Sequence, residues 1–139
     1  MKVRLVMYLI GTVVLLAIAA AAYVRLAPTD VARWHQPVTA TQDKDLKGGA
    51  IRVVMSDSAA LVTADRAMRA LPRTRVLAGS VDSGRITYVT RSQLWGFPDY
   101  TTIEHADGML RLFGRLRFGS SDLGVNAARL THVLAAIEG

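Results

Sequence analysis

The stretch from Leu5 to Val24, LVMYLIGTVVLLAIAAAAYV, runs for twenty residues without a charge. A helix of that length reaches roughly 30 Å at about 1.5 Å per residue, the thickness of a bilayer's hydrocarbon core. Everything after Arg25 then reads as a compact domain tethered to this helix. Leu5, Leu15 and Val24 lie along the apolar span. Tyr8 and Tyr23 stand near its ends, where amphipathic rings favour the membrane interface. The competing reading is a cleaved signal peptide, with Lys2 and Arg4 as its basic start and Ala19-Ala20-Ala21 as an A-x-A-like site. The apolar run exceeds the ~7–15 residues usual in signal peptides, which favours a membrane anchor over residues 1–26.

Topology follows from the flanking charges. Lys2, Arg4 and the amino terminus favour a cytoplasmic N-terminus, while Arg25 and Arg33 oppose it. A short basic tail most often stays inside. The expectation is a single-pass protein of the cell inner membrane with its C-terminal domain on the periplasmic side.

The chain carries 17 basic and 11 acidic residues, net +6. Lys2 and Arg4 are the only charges before Arg25, so the domain itself is moderately basic. That suits anionic lipid or an acidic protein patch. No Lys/Arg-dense run or zinc motif accompanies it, so no nucleic-acid partner is expected. The absence of cysteine excludes disulfides, thiolate metal sites and a cysteine nucleophile. His35, His105 and His132 are widely separated, none with a second histidine at i+3 or i+4, and no metal is expected. Gly79 to Ile86 has the glycine spacing of a P-loop without its Lys-Ser/Thr ending, and reads better as a hairpin turn. No Gly-x-Ser-x-Gly elbow is present. The expectation is therefore no cofactor and no enzymatic activity.

Along the chain, residues 27–49 read as a connector and residues 50–139 as the domain. Pro28 and Pro37 interrupt regular structure, and Gln42–Gly49 is polar and flexible in character. Trp34 either packs on the domain or rests at the membrane interface, with a partner anchor as the sharper reading. Ile51, Val53 and Met55 alternate with Arg52 and Val54 as a short strand. Ser56 is a candidate N-cap for a helix Asp57–Leu71, which sets Leu61, Ala64, Met68 and Leu71 on one stripe and stops at Pro72. Four strands follow, at Arg73–Val81, Arg85–Gln93, Tyr100–His105 and Met109–Phe118. In the last, Leu110, Leu112, Leu116 and Phe118 share one face with Gly114. Met109, Arg111, Phe113, Arg115 and Arg117 share the other, so one residue of slip would bury three arginines. A closing helix carries Leu130, Val133, Leu134 and Ile137, with Asn126 or Asp122 as its cap. The expected fold is α+β: one transmembrane helix, then an antiparallel sheet of about five strands with two helices on one face and the other face partly exposed.

The segments Pro72-Arg73-Thr74-Arg75, Thr90-Arg91-Ser92, Trp95-Gly96-Phe97-Pro98-Asp99-Tyr100 and Ser121-Asp122-Leu123-Gly124-Val125-Asn126 together carry a resemblance. From about Asp30 to the C-terminus the chain resembles the bacterial and plastid family known as domain of unknown function 1499. The resemblance implies no established reaction and no cofactor. It agrees with an anchor, since members are often short proteins with a hydrophobic N-terminus.

The candidate interaction residues are Arg111, Phe113, Arg115 and Arg117 on the exposed strand face, joined by Arg91, Trp95 and Tyr100. They are either a solvated face or a docking surface for carboxylates, phosphates or head groups. Asp99 and Asp122 read as loop-ordering residues rather than catalytic acids. The leading expectation is a non-enzymatic membrane-anchored interaction module, an accessory or assembly subunit of a membrane protein complex. Its partners would be the lipid bilayer and a membrane protein. The alternative is a domain binding a small anionic ligand or lipid head group.

Overall fold

The computed structural model describes residues 1–139. Its elements are α1 (Lys2–Leu26), α2 (Val31–Trp34), β1 (Lys44–Leu46), β2 (Gly49–Met55), α3 (Ala59–Ala70), β3 (Thr74–Ser80), β4 (Arg85–Arg91), β5 (Pro98–Ala106), β6 (Met109–Leu116) and α4 (Val125–Glu138). The six strands form one sheet in the order β1-β2-β6-β5-β4-β3. Every neighbouring pair is antiparallel.

α1 is one continuous helix of 25 residues, about 37 Å long at the α-helical rise. It is long and apolar enough to cross a membrane, and none of its residues is buried. The Thr12 hydroxyl donates back to the Tyr8 carbonyl at 2.9 Å, so a polar group in mid-span is satisfied within the helix.

The sheet face under α3 and α4 holds the main core. Ile86 and Tyr88 of β4, Ile103 of β5, and Leu110 and Leu112 of β6 meet Leu61, Ala64 and Met68 of α3 and Leu130 and Val133 of α4. The two-residue period of β6 holds as expected: Leu110 and Leu112 are fully buried, and Arg111, Phe113 and Arg115 turn to the opposite face. Leu116 is only half-buried. Phe118 lies beyond the strand, edge-on to Tyr23 with ring centroids 6.2 Å apart. In β2 the helix-facing residues are Ala50 and Val54, so Ile51 and Val53 fall on the other side.

Two local expectations change, and one open choice, the α4 cap, is resolved. The sixth strand, β1, comes from the stretch expected to be flexible. It pairs with β2, and Asp43 accepts from the Val53 N–H at 2.8 Å while Arg52 meets Asp45 at 2.8 Å. The α3 start is capped one residue late: Asp57 accepts from the Ala59 N–H at 3.0 Å, and the Ser56 hydroxyl is buried without a partner. At α4 the cap is Asp122, which accepts from the N–H groups of Gly124 and Asn126 at 3.1 and 3.0 Å, leaving Asn126 free to be buried.

The largest difference is the second sheet face, which is not left open. The segment between α1 and β1 crosses it. Trp34 stacks on Tyr100 with ring centroids 4.1 Å apart, and Val89 and Leu77 complete a small second core. Residues 27–49 are thus a packed layer of the domain rather than a loose tether.

Candidate functional site

Arg111 and Arg115 of β6, with Arg117 just beyond its end, hold that layer in place. Arg117 donates to the Pro28 carbonyl at 2.9 Å, Arg115 to the Trp34 carbonyl at 2.6 Å, and Arg111 to the Ala40 carbonyl at 3.0 Å. The order reverses along the two segments, so the connector runs antiparallel to β6 and is gripped at three points. The Arg115 guanidinium also lies 4.4 Å from the Phe113 ring centroid and 5.3 Å from that of Trp34. Burial pulls its pKa down to about 10, which leaves it charged at neutral pH. Tyr100 is fully buried, its hydroxyl 2.9 Å from Thr29. The expectation of Arg111, Phe113, Arg115, Arg117 and Tyr100 as an exposed docking face is therefore corrected. The connector occupies the surface that they would offer.

His35 continues the same layer. Its Nδ1 lies 2.9 Å from the Thr87 hydroxyl, which meets Thr102 at 3.0 Å. Burial and the nearby Arg85 hold the His35 pKa below its usual value, against Glu104, which raises it. Glu104 in turn accepts from the Val38 N–H at 2.7 Å and from Arg85 at 3.1 Å.

On the helix side, Asp99 and Asp122 converge on Asn126, as loop-ordering residues would. The fully buried Asn126 donates to Asp122 at 2.8 Å and to Asp99 at 3.3 Å, and accepts from Arg129 at 2.6 Å. Arg129 also reaches Asp99 at 3.5 Å. Burial pushes the Asp99 pKa up, against the Arg129 charge. Burial alone would raise Asp122 too, but the hydrogen bonds from Asn126 and Gly124 outweigh it and hold Asp122 low. Gly114 makes room for this cluster, since a Cβ there would stand 2.8 Å from Asn126 Oδ1. Every member is paired within the network, which ties the start of β5 and the first turn of α4 to the loop carrying Asp122.

Arg91 and Trp95 remain, and they lie at the other end of the second face. There Arg25, Arg73, Arg75 and Arg91 line one cleft of about 510 Å³ with Thr74, Val89, Ser92, Gln93 and Gly96. The lining contains no carboxylate, and none of the four arginines enters an ion pair. Carbonyls position three of the guanidiniums. Arg91 donates to Gly96 at 2.8 Å and to the terminal carbonyls of α1, Val24 at 3.5 Å and Arg25 at 3.4 Å. A cation at the negative end of a helix is favourable. Arg25 donates to the Leu94 and Trp95 carbonyls at 3.2 and 3.4 Å, and Arg73 to the Arg91 carbonyl at 3.0 Å. Arg73 itself sits at φ 56°, a left-handed conformation that costs a non-glycine residue roughly 1 kcal/mol or more.

Four guanidiniums without counter-charge make a concavity that suits an anion. Their planar forks match phosphate or carboxylate oxygens in pairs. Sequence reasoning had Arg91 but missed Arg25, Arg73 and Arg75. Arg75 stands within β3, whereas Arg73 precedes it in the left-handed turn, so strand alternation does not by itself bring the two together. Nothing local marks Arg25, which joins the site only through the way α1 docks on the β4–β5 loop.

Three of the four sequence segments that carried the family resemblance border this cleft: Arg73–Arg75, Arg91–Ser92 and Gly96. The fourth forms the Asp122–Asn126 network beside Asp99. No curated protein matches the chain. A family model matches residues 22–137, which includes the connector and the end of α1. The chain therefore belongs to the family described as protein of unknown function (DUF1499).

Proposed function

We propose that this chain is a single-pass membrane protein whose domain holds an anionic, phosphate-bearing lipid head group in the Arg25–Arg73–Arg75–Arg91 cleft, as a binding module without a reaction of its own. The observation that carries the reading is four uncompensated guanidiniums in one concavity at the domain end of an apolar helix. Lipid phosphates are the anions most concentrated at that height. The accessory-subunit expectation rested on a transmembrane helix, the lack of reaction chemistry and a basic sheet face, and the connector covers that face, so head-group binding is the better-supported reading. The bilayer is the partner. Lys2 and Arg4 in the first turn of α1 support a cytoplasmic N-terminus in the cell inner membrane, with the domain on the periplasmic side.

The binding test uses the full chain in non-ionic detergent. Short-chain phosphatidylglycerol, inorganic phosphate and short-chain phosphatidylcholine are titrated separately by calorimetry across a salt series. The expected order is phosphatidylglycerol tightest, with binding that weakens as salt rises. Binding by inorganic phosphate alone would point to a free anion instead. No discrimination from phosphatidylcholine would remove the anion reading. Topology is accessible because the chain has no cysteine. A single Ser83→Cys, on the exposed β3–β4 turn, should react with an impermeant maleimide added from the periplasmic side.

A further inference from the structure

The loop between β4 and β5 turns large apolar side chains outward. Leu94 is 74% exposed, Trp95 53% and Phe97 40%. Its carbonyls from Leu94 to Phe97 are served from within, while the Leu94 and Trp95 N–H groups make no hydrogen bond inside the chain and are left to the wet side of the interface. The Leu94 and Trp95 carbonyls accept from Arg25, the Gly96 carbonyl from Arg91, and the Phe97 carbonyl from the Ser92 N–H. The Gly96 and Phe97 N–H groups return to the Ser92 carbonyl and hydroxyl. Gly96 makes this closure possible. It sits at φ +71°, and a Cβ there would stand 3.0 Å from Arg25 Nε. A loop in water needs none of this, because water would serve its carbonyls. At the edge of the hydrocarbon those carbonyls find few other donors.

Position says what the loop enters. Trp95 and Phe97 form an apolar cleft of about 330 Å³ with Ala17, Ala20, Ala21 and Val24 of α1. Those helix residues cover about two turns, roughly 10 Å along the axis. In a helix that crosses a bilayer, whatever lies beside its last two apolar turns lies in the leaflet nearest the domain. Resting on the membrane-anchoring reading of α1, we propose that Leu94, Trp95 and Phe97 are a second membrane-insertion element, seated in the interfacial layer of the domain-side leaflet. The bilayer is the occupant of this face. Trp95 suits the interface, where an indole has both an apolar and a wet side. Two points of attachment fix the tilt of the domain, and the arginine cleft, which shares Arg25 and Gly96 with this loop, opens at head-group height.

The test reconstitutes the full chain in vesicles of phosphatidylcholine and phosphatidylglycerol, with acyl chains plain or brominated near the head group. The chain has two tryptophans, Trp34 and Trp95. Subtracting the emission of Trp95→Phe isolates Trp95, and this exposed, conservative change leaves the buried Trp34 in place. The expected result is blue-shifted Trp95 emission, lost for the most part in brominated vesicles and insensitive to aqueous iodide. A Leu94→Ser/Phe97→Ser variant, altered only at exposed side chains, should shift Trp95 towards iodide quenching. Flotation of the same samples reports α1 separately. Protein that floats while iodide alone quenches Trp95 overturns the insertion and leaves the anchor standing. Protein that does not float overturns the anchor and the insertion with it.

Discussion

Replacing Arg115 with alanine should unfasten the connector from the sheet. Three contacts go at once: the 2.6 Å bond to the Trp34 carbonyl and the guanidinium's positions against Trp34 and Phe113. A hydrogen bond to a charged group contributes about 1.5–3 kcal/mol, and a partly desolvated cation–π contact roughly 0.5–2. Returning the charge to water offsets part of this, so the net loss should be about 2–4 kcal/mol. For a domain of this size, at about 4 °C per kcal/mol, the melting temperature should fall by on the order of 10 °C. The assay is near-ultraviolet circular dichroism of the full chain in detergent, which follows the Trp34–Tyr100 stack and ignores the α1 helix signal. Arg115→Lys should fall between, because it keeps the charge but not the fork. A drop below about 2 °C for the alanine variant is what a free surface residue gives, and it would refute the strapping role.

Leu112→Ala should cost about 2–5 kcal/mol in urea unfolding, and the half-buried Leu116→Ala clearly less; equal losses would contradict the shallower burial of Leu116 at the end of β6. Asn126→Ala should cost roughly 2–3 kcal/mol, since it leaves Asp99, Asp122 and Arg129 without their shared partner, and a loss under about 0.5 kcal/mol would remove the network's ordering role. The lowered His35 pKa means that the unfolded chain binds the proton more readily than the folded one. Stability is then full above the ordinary value of 6.5 and declines as pH falls from there towards the folded pKa. Urea midpoints compared at mildly acidic and neutral pH should show a shallower decline in His35→Gln than in the parent, and identical slopes would rule out His35 as the source.

The sheet was legible because β6 alternates leucine with arginine so strictly that only one register keeps the charges out of the core. α1 was legible by length alone. β1 was not, because Lys44-Asp45-Leu46 is a polar edge strand whose pairing depends on Asp43 and Asp45 meeting Arg52 and Val53 across the turn. The covered face was hidden for a related reason. Arginines on a strand read as solvated, and their true partners are backbone carbonyls about seventy to ninety residues away in sequence, which no local pattern encodes. The cleft was half legible: Arg91 stood out, whereas Arg25 enters from a different element altogether.

The most direct measurement of the head-group reading is native mass spectrometry of the full chain released from bilayers of mixed phosphatidylglycerol and phosphatidylcholine. Arg73 and Arg75 are the substitutions of choice, because neither makes a hydrogen bond that holds α1 on the domain. The account predicts one retained phosphatidylglycerol on the parent chain, and its loss by at least about tenfold in Arg73→Gln/Arg75→Gln, as expected when two charge-assisted contacts are removed. Equal retention of both lipids by parent and variant alike would contradict it.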